Sequence, residues 1–235
     1  MSAGAVVKEA FSAYRAWGLY LVGLAAAFYA LLAVVALVLA VPFGVYAAGL
    51  LLAFGGPWAV ALIVDAVAAI EEPTADRSLT GRLHAILPYL GTLTAVWLGY
   101  NVLVSVGFML FVVPGLVFMT WWALVVPVVV LERTGVRRAF SRSKRLVTGK
   151  GLTVFWTLIL AGVLSAVPAF LVSGPALSLP VSPLTATVLA GAAAGTVTAP
   201  FVALCLVVLY SDLRSRFAAP IADSWMQPYA PSGDA

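Results

Sequence analysis

The chain has 235 residues, 63% of them apolar and 9% charged, where soluble domains average roughly 45–50% and about 25%. A soluble fold of this size cannot hide so much apolar surface, and apolar runs long enough to cross a bilayer recur along the whole chain, so the class is an all-α, polytopic integral membrane protein. One cysteine, Cys205, and one histidine, His84, exclude an intrachain disulfide and any zinc site needing several such ligands. No cofactor is implied. The net charge of +4 and pI near 9.4 do not point to nucleic acid, because the basic residues lie in short segments beside apolar runs. Phospholipid headgroups are the nearer anionic partner.

Residues 1–16, with Lys8 and Arg15, read as a cytoplasmic amphipathic lead-in. The run 17–41 that follows is longer than the roughly 7–15 residues of a signal-peptide core and can span a hydrocarbon layer of about 30 Å, so it reads as a retained first span. Pro42, Phe43 and Gly44 mark a turn into a second span, 45–70. The third and fourth, 88–113 and 115–131, are separated only by Pro114 and Gly115. Proline fixes φ and lacks a donor, and glycine tolerates positive φ, so the pair predicts an abrupt hairpin. The fourth run is short, and a bent or re-entrant hairpin is the alternative to two full crossings. Residues 152–172 and 184–210 complete six spans, with Ser173, Gly174, Pro175, Pro180 and Pro183 between them. A cytoplasmic tail, 211–235, is expected to be disordered at its end.

All thirteen Lys and Arg fall in four segments: Lys8 and Arg15; Arg77 and Arg82; seven residues from Arg133 to Lys150; and Arg214 and Arg216. The three alternate connections carry none, so the positive-inside rule predicts a multi-pass protein of the cell membrane with both termini cytoplasmic. An amphipathic stretch precedes each pair of spans, with Phe11-Ser12, Leu79-Thr80 and Phe140-Ser141 in comparable places. This faint threefold correspondence is equally compatible with chance.

Segment 133–147 is predicted to be an amphipathic surface helix. At 100° per residue Val136, Phe140, Ser143 and Val147 share a face, and the basic residues point elsewhere. Laid apolar side down, such a helix holds Arg137, Arg138, Arg142, Lys144 and Arg145 at phosphate depth, where each charge adds about 1 kcal/mol on an anionic surface. The plainer reading is that these charges only enforce topology.

Intramembrane polarity is sparse. Asp65 lies about 9 Å along a helix from Glu71, near the cytoplasmic interface; a partner Arg from a surface segment is expected, with a proton or cation site the alternative. Asn101 is closer to mid-membrane and needs a partner, expected on another helix, with ligand binding the alternative. Small residues recur every fourth position, at Gly91, Ala95 and Gly99 and at Thr187, Gly191, Gly195 and Ala199. These faces suit close helix packing, within the chain or with a second copy.

An enzyme fails on inventory. His84 has no Gly-x-Ser-x-Gly elbow or second histidine with it, and Thr148-Gly149-Lys150-Gly151 lacks the first glycine and the final Ser or Thr of a phosphate loop.

Val113-Pro114-Gly115, then Trp122, Pro127, Glu132, Ala139-Phe140-Ser141-Arg142-Ser143 and Leu146 to Gly149, followed by Tyr210-Ser211-Asp212-Leu213-Arg214-Ser215-Arg216, form a recognisable series. It resembles a bacterial six-span family known as the membrane domain of glycerophosphoryl diester phosphodiesterase, with related six-span proteins of unknown function. The resemblance implies a six-helix domain with a Pro-Gly turn, a surface helix carrying Arg142 and Ser143, and a cytoplasmic tail. It does not imply hydrolysis, because the family's phosphodiesterase is a separate soluble barrel. Here Lys144 stands where an aromatic is common in the family.

The expected function is a non-enzymatic, lipid-associated scaffold or accessory subunit, partnered by the bilayer, by anionic lipids, and by another membrane protein or a second copy. A small transporter or flippase-like carrier of an apolar or amphiphilic substrate is the alternative.

Overall fold

The computed structural model describes residues 1–70 and 78–226, with the side chains at 44, 45, 47 and 217–226 left aside. Among the described residues there is no strand. In chain order come α1 (Ala3–Ala68), α2 (Leu79–Ile86), a short 3-10 turn, α3 (Leu90–Leu110), α4 (Val112–Trp121), α5 (Val125–Glu132), α6 (Val136–Val147), α7 (Gly151–Leu177) and α8 (Pro183–Met226). Six stretches are long and apolar enough to span a membrane: Ala3–Phe43, Ala48–Ala68, Leu79–Leu110, Val112–Glu132, Gly151–Leu177 and Pro183–Arg216. The chain is therefore an all-α polytopic membrane protein.

Helix α1 would be about 100 Å long if straight, yet Gly55 lies against the side chain of Leu32. The helix must reverse between them, in a region that includes Pro42, whose missing donor weakens the helix there. The lead-in expected at 1–16 is not a separate element. It forms the first turns of α1, capped where Ser2 Oγ accepts from Ala5 N at 3.4 Å.

Two buried clusters hold the bundle together. One joins both arms of α1 to α8 through Leu21, Phe28, Leu62, Ile63 and Leu204; the other joins α3, α5, α6 and α8 through Leu93, Val128, Leu146 and Leu209. Around them Val41, Met109, Phe111 and Phe170 are exposed. On a span this is the surface that hydrocarbon covers, because lipid tails are as apolar as the side chains facing them.

One expectation about the connections needs correction. The hairpin between the third and fourth spans does not turn at Pro114-Gly115. Its one-residue connection is Phe111, extended at φ −165° and ψ 159°. Pro114 lies in the first turn of α4, where no intrahelical acceptor awaits its missing N–H. Gly115 lacks positive φ and serves close approach instead: a Cβ there would lie 2.5 Å from Phe108 Cγ, and one at Gly107 would lie 2.9 Å from Gly115 Cα.

Within the fourth span, Val112–Glu132, α4 stops at Trp121 and α5 starts at Val125. Helix α8 runs on to Met226, so residues 211–226 are helical, whereas 227–235 lie outside the described residues.

Candidate functional site

The charged end of the bundle is organised by the junction between α5 and α8 and by α6. Arg133 ends α5 in the left-handed region, φ 49° and ψ 48°. That conformation costs a non-glycine residue about 1–2 kcal/mol, and it turns the chain so that α6 starts at Val136 rather than at 133. Ala139, Ser143, Leu146 and Val147 are each at most 1% exposed. Ala139, Leu146 and Val147 belong to the cluster containing Leu124, Val128, Leu209 and Leu213. The apolar side of α6 is thus seated on the bundle rather than laid on lipid, which corrects the orientation expected from its periodicity.

Each contact of α6 has an identifiable cause. Phe140 packs over Gly99, where a Cβ would meet its ring at 3.2 Å, and stands edge-on to Trp122 at 5.5 Å between centroids. Ser143 donates to the carbonyl of Trp121 at 2.8 Å and accepts from the N–H of Leu124 at 3.3 Å. These are backbone groups at the break between α4 and α5, where a helix interrupted at membrane depth must find other partners. Lys144 lies 4.2 Å from the Trp121 ring centroid, a cation–π contact.

Glu132, in the last turn of α5, is the polar node. Arg142 Nε donates to both of its carboxylate oxygens at 2.9 and 3.2 Å, and the Tyr210 hydroxyl donates to Oε1 at 2.9 Å. Both members of the ion pair are 19% exposed. Beside it opens a cavity of about 420 Å³ lined by Glu132, Arg138, Ser141, Arg142 and Arg145. Arg137, Arg138 and Arg145 are exposed and have no carboxylate partner among the described residues. The five predicted headgroup residues therefore separate: Arg138, Arg142 and Arg145 share the cavity, Lys144 covers Trp121, and Arg137 stands apart.

The intramembrane candidates are placed individually. Asp65 Oδ2 accepts from Arg82 Nη1 at 3.1 Å, and the Arg82 side chain is only 8% exposed. Asn101 does not reach another helix. Its Nδ2 donates to the carbonyl of Trp97 at 2.8 Å, one turn back in α3, so the amide is satisfied within its own helix and the expected interhelical bond is replaced. Nearby, a cavity of about 370 Å³ is lined mainly by apolar groups, including Gly56, Pro57, Trp97, Tyr100, Trp122 and Leu206.

Of the four packing glycines, Gly195 receives the ring of Tyr29 and Gly99 that of Phe140; nothing approaches Gly91 or Gly191 within 4 Å of where a Cβ would stand. His84 is exposed on α2. No group of three His, Cys, Asp or Glu is placed to hold a metal among the described residues.

Glu132 and Tyr210 enter the sequence reading as site residues only through the family resemblance, and Ser143 through that resemblance and as one member of a face. A signal was present for Glu132. A carboxylate closing an apolar run needs a cation, and α6 supplies five basic residues within the next turns.

Comparison with protein-family models, with curated proteins and with solved structures finds no match. The likeness to the phosphodiesterase membrane domain thus rests on the motif residues quoted above.

Proposed function

We propose that this membrane protein is a non-enzymatic, lipid-associated scaffold or accessory subunit of the cell membrane, with α6 and both termini on the cytoplasmic side. The carrying observation is the seating of α6. Its small and apolar face is spent on the bundle, so its unpartnered guanidinium groups are held on a fixed platform at the charged end. The strict segregation of the basic residues along the sequence supports the orientation, and the family-like series from Val113 to Gly149 supports a six-span accessory role. An anionic bilayer surface is the partner that such a platform suits.

The test is lipid retention by the full chain. Wild type should keep anionic over zwitterionic lipid in native mass spectrometry, and a variant with Gln at Arg137, Arg138, Arg142 and Arg145 should lose the preference while keeping its fold. Equal retention of both lipid classes by wild type would leave the basic segment with a topological role only. A carrier of an apolar or amphiphilic substrate is the second reading, favoured by the cavity that meets the α4–α5 break beside Tyr100. Substrate-dependent change in accessibility at that cavity would support it.

A further inference from the structure

The cavity at the Glu132–Arg142 pair has a charge and a donor geometry that fit one ligand chemistry. Arg142 is anchored by a single nitrogen: Nε serves Glu132 at 2.9 and 3.2 Å. Its two terminal nitrogens make no hydrogen bond to a described residue. A guanidinium carries five N–H donors in a planar fork, so four of them remain for an acceptor. Arg138 and Arg145 lie one turn before and one turn after Arg142, on the same helix face. Both line the same cavity and are exposed without a carboxylate of their own.

Ser141, by contrast, already donates to the carbonyl of Arg138 at 3.0 Å, so recognition falls to the guanidinium groups. Glu132 also accepts from the Tyr210 hydroxyl, at Oε1, which holds the carboxylate in place and with it the direction of Arg142.

Three guanidinium groups against one carboxylate leave two net positive charges in the wall. A phosphomonoester carries about −1.5 to −2 at neutral pH and offers three acceptor oxygens, and arginine forks match phosphate in a bidentate manner. A phosphodiester brings only one charge and two free oxygens. We propose that this cavity binds a phosphomonoester group, presented on a lipid headgroup or free in solution. The lipid-borne source rests on the lipid-associated reading above; the free source does not.

The experiment compares two double variants of the full chain that remove equal charge from α6: Arg138→Gln with Arg145→Gln, inside the cavity, and Arg137→Gln with Lys144→Gln, outside it. Circular dichroism checks that both fold. Native mass spectrometry follows retention of phosphatidic acid, phosphatidylglycerol and phosphatidylcholine from an equal mixture, and calorimetry follows inorganic phosphate. Wild type should prefer phosphatidic acid to phosphatidylglycerol. With each lost contact weakening attraction several-fold, the cavity variant should lose about tenfold or more in that affinity and the outer variant about threefold or less.

Phosphatidic acid retention that inorganic phosphate does not displace assigns the site to a lipid-borne group. Displacement, with calorimetric binding lost only in the cavity variant, assigns it to the phosphomonoester itself. Equal retention of the two anionic lipids, or equal losses in the two variants, overturns the site while leaving a general anionic attraction intact. Absence of any anionic preference, with inorganic phosphate still bound through Arg138 and Arg145, overturns the lipid reading and keeps the site; absence of both overturns both.

Discussion

Ser143 is where the break in the fourth span and the seating of α6 depend on one atom. Replacing it by alanine removes a hydroxyl that donates to Trp121 O at 2.8 Å and accepts from Leu124 N at 3.3 Å, in a residue with no exposure. A buried group left unpaired costs about 1–3 kcal/mol, but side-chain hydrogen bonds measured within membranes average about 0.6 and reach about 1.7 kcal/mol. The Leu124 bond is long and contributes the smaller share, so Ser143→Ala should destabilise by about 1–2 kcal/mol. Ser143→Val should do worse, because the Ala139–Ser143 face is packed against the bundle. Ser141→Ala, exposed and bonded only to its own turn, is the control and should stay within about 0.5 kcal/mol of wild type. Reversible unfolding in mixed micelles, followed by far-ultraviolet circular dichroism, measures all three. Equal stability of Ser143→Ala and wild type would mean that the α4–α5 break is held by its own backbone and that α6 is not its support.

Gly115→Val should lower folded yield sharply, and Gly115→Ala less so, since even a Cβ meets the Phe108 ring; if a smaller residue at Phe108 brings no recovery of Gly115→Ala in thermal melts, the close-approach account is wrong. Asp65→Asn strips the charge partner from Arg82, which is 8% exposed. Removing one member of a buried pair costs about 3–5 kcal/mol, and with Asp65 itself 24% exposed about 2–3 kcal/mol is expected in the same unfolding assay, largely recovered in the double variant with Arg82→Met. With Cys205 changed to serine, cysteines placed at Phe43 and Ser178 should label from outside the cell and one at Ser141 only from inside; labelling of Phe43 and Ser178 from opposite sides would remove the six-span arrangement.

Composition and run length made the architecture legible. Apolar stretches of bilayer length are a first-order consequence of transferring backbone and side chains into hydrocarbon, and six such stretches are present among the described residues. The turn at Phe111 was not legible, because Pro114 and Gly115 advertise a break by their intrinsic conformational preferences while the structure uses them inside a helix: the proline in its tolerant first turn, the glycine for its missing side chain. Nothing local distinguishes those uses. The same limit applies to Asn101, whose amide could serve its own helix or a neighbour with equal chemistry. Periodicity placed Ser143 among the inward positions of α6 but could not say whether lipid or protein lay inward. Only the three-dimensional proximity of Leu124, Val128 and Leu209 decides that.

That decision changes what the arginines of α6 are able to do. A helix floating in the interface finds its depth by partition, and its charged side chains meet headgroups as a mobile average. A helix whose inner face is filled by Ala139, Ser143, Leu146 and Val147 has its axial rotation fixed by packing, because the small residues admit the bundle closely and Phe140 is keyed onto Gly99. Rotation about the helix axis is then no longer available to the outer face, and Glu132 further restrains Arg142. Ordering that a ligand would otherwise impose has already occurred on folding, which is the condition under which a few charge-assisted hydrogen bonds discriminate between anions rather than merely attract them.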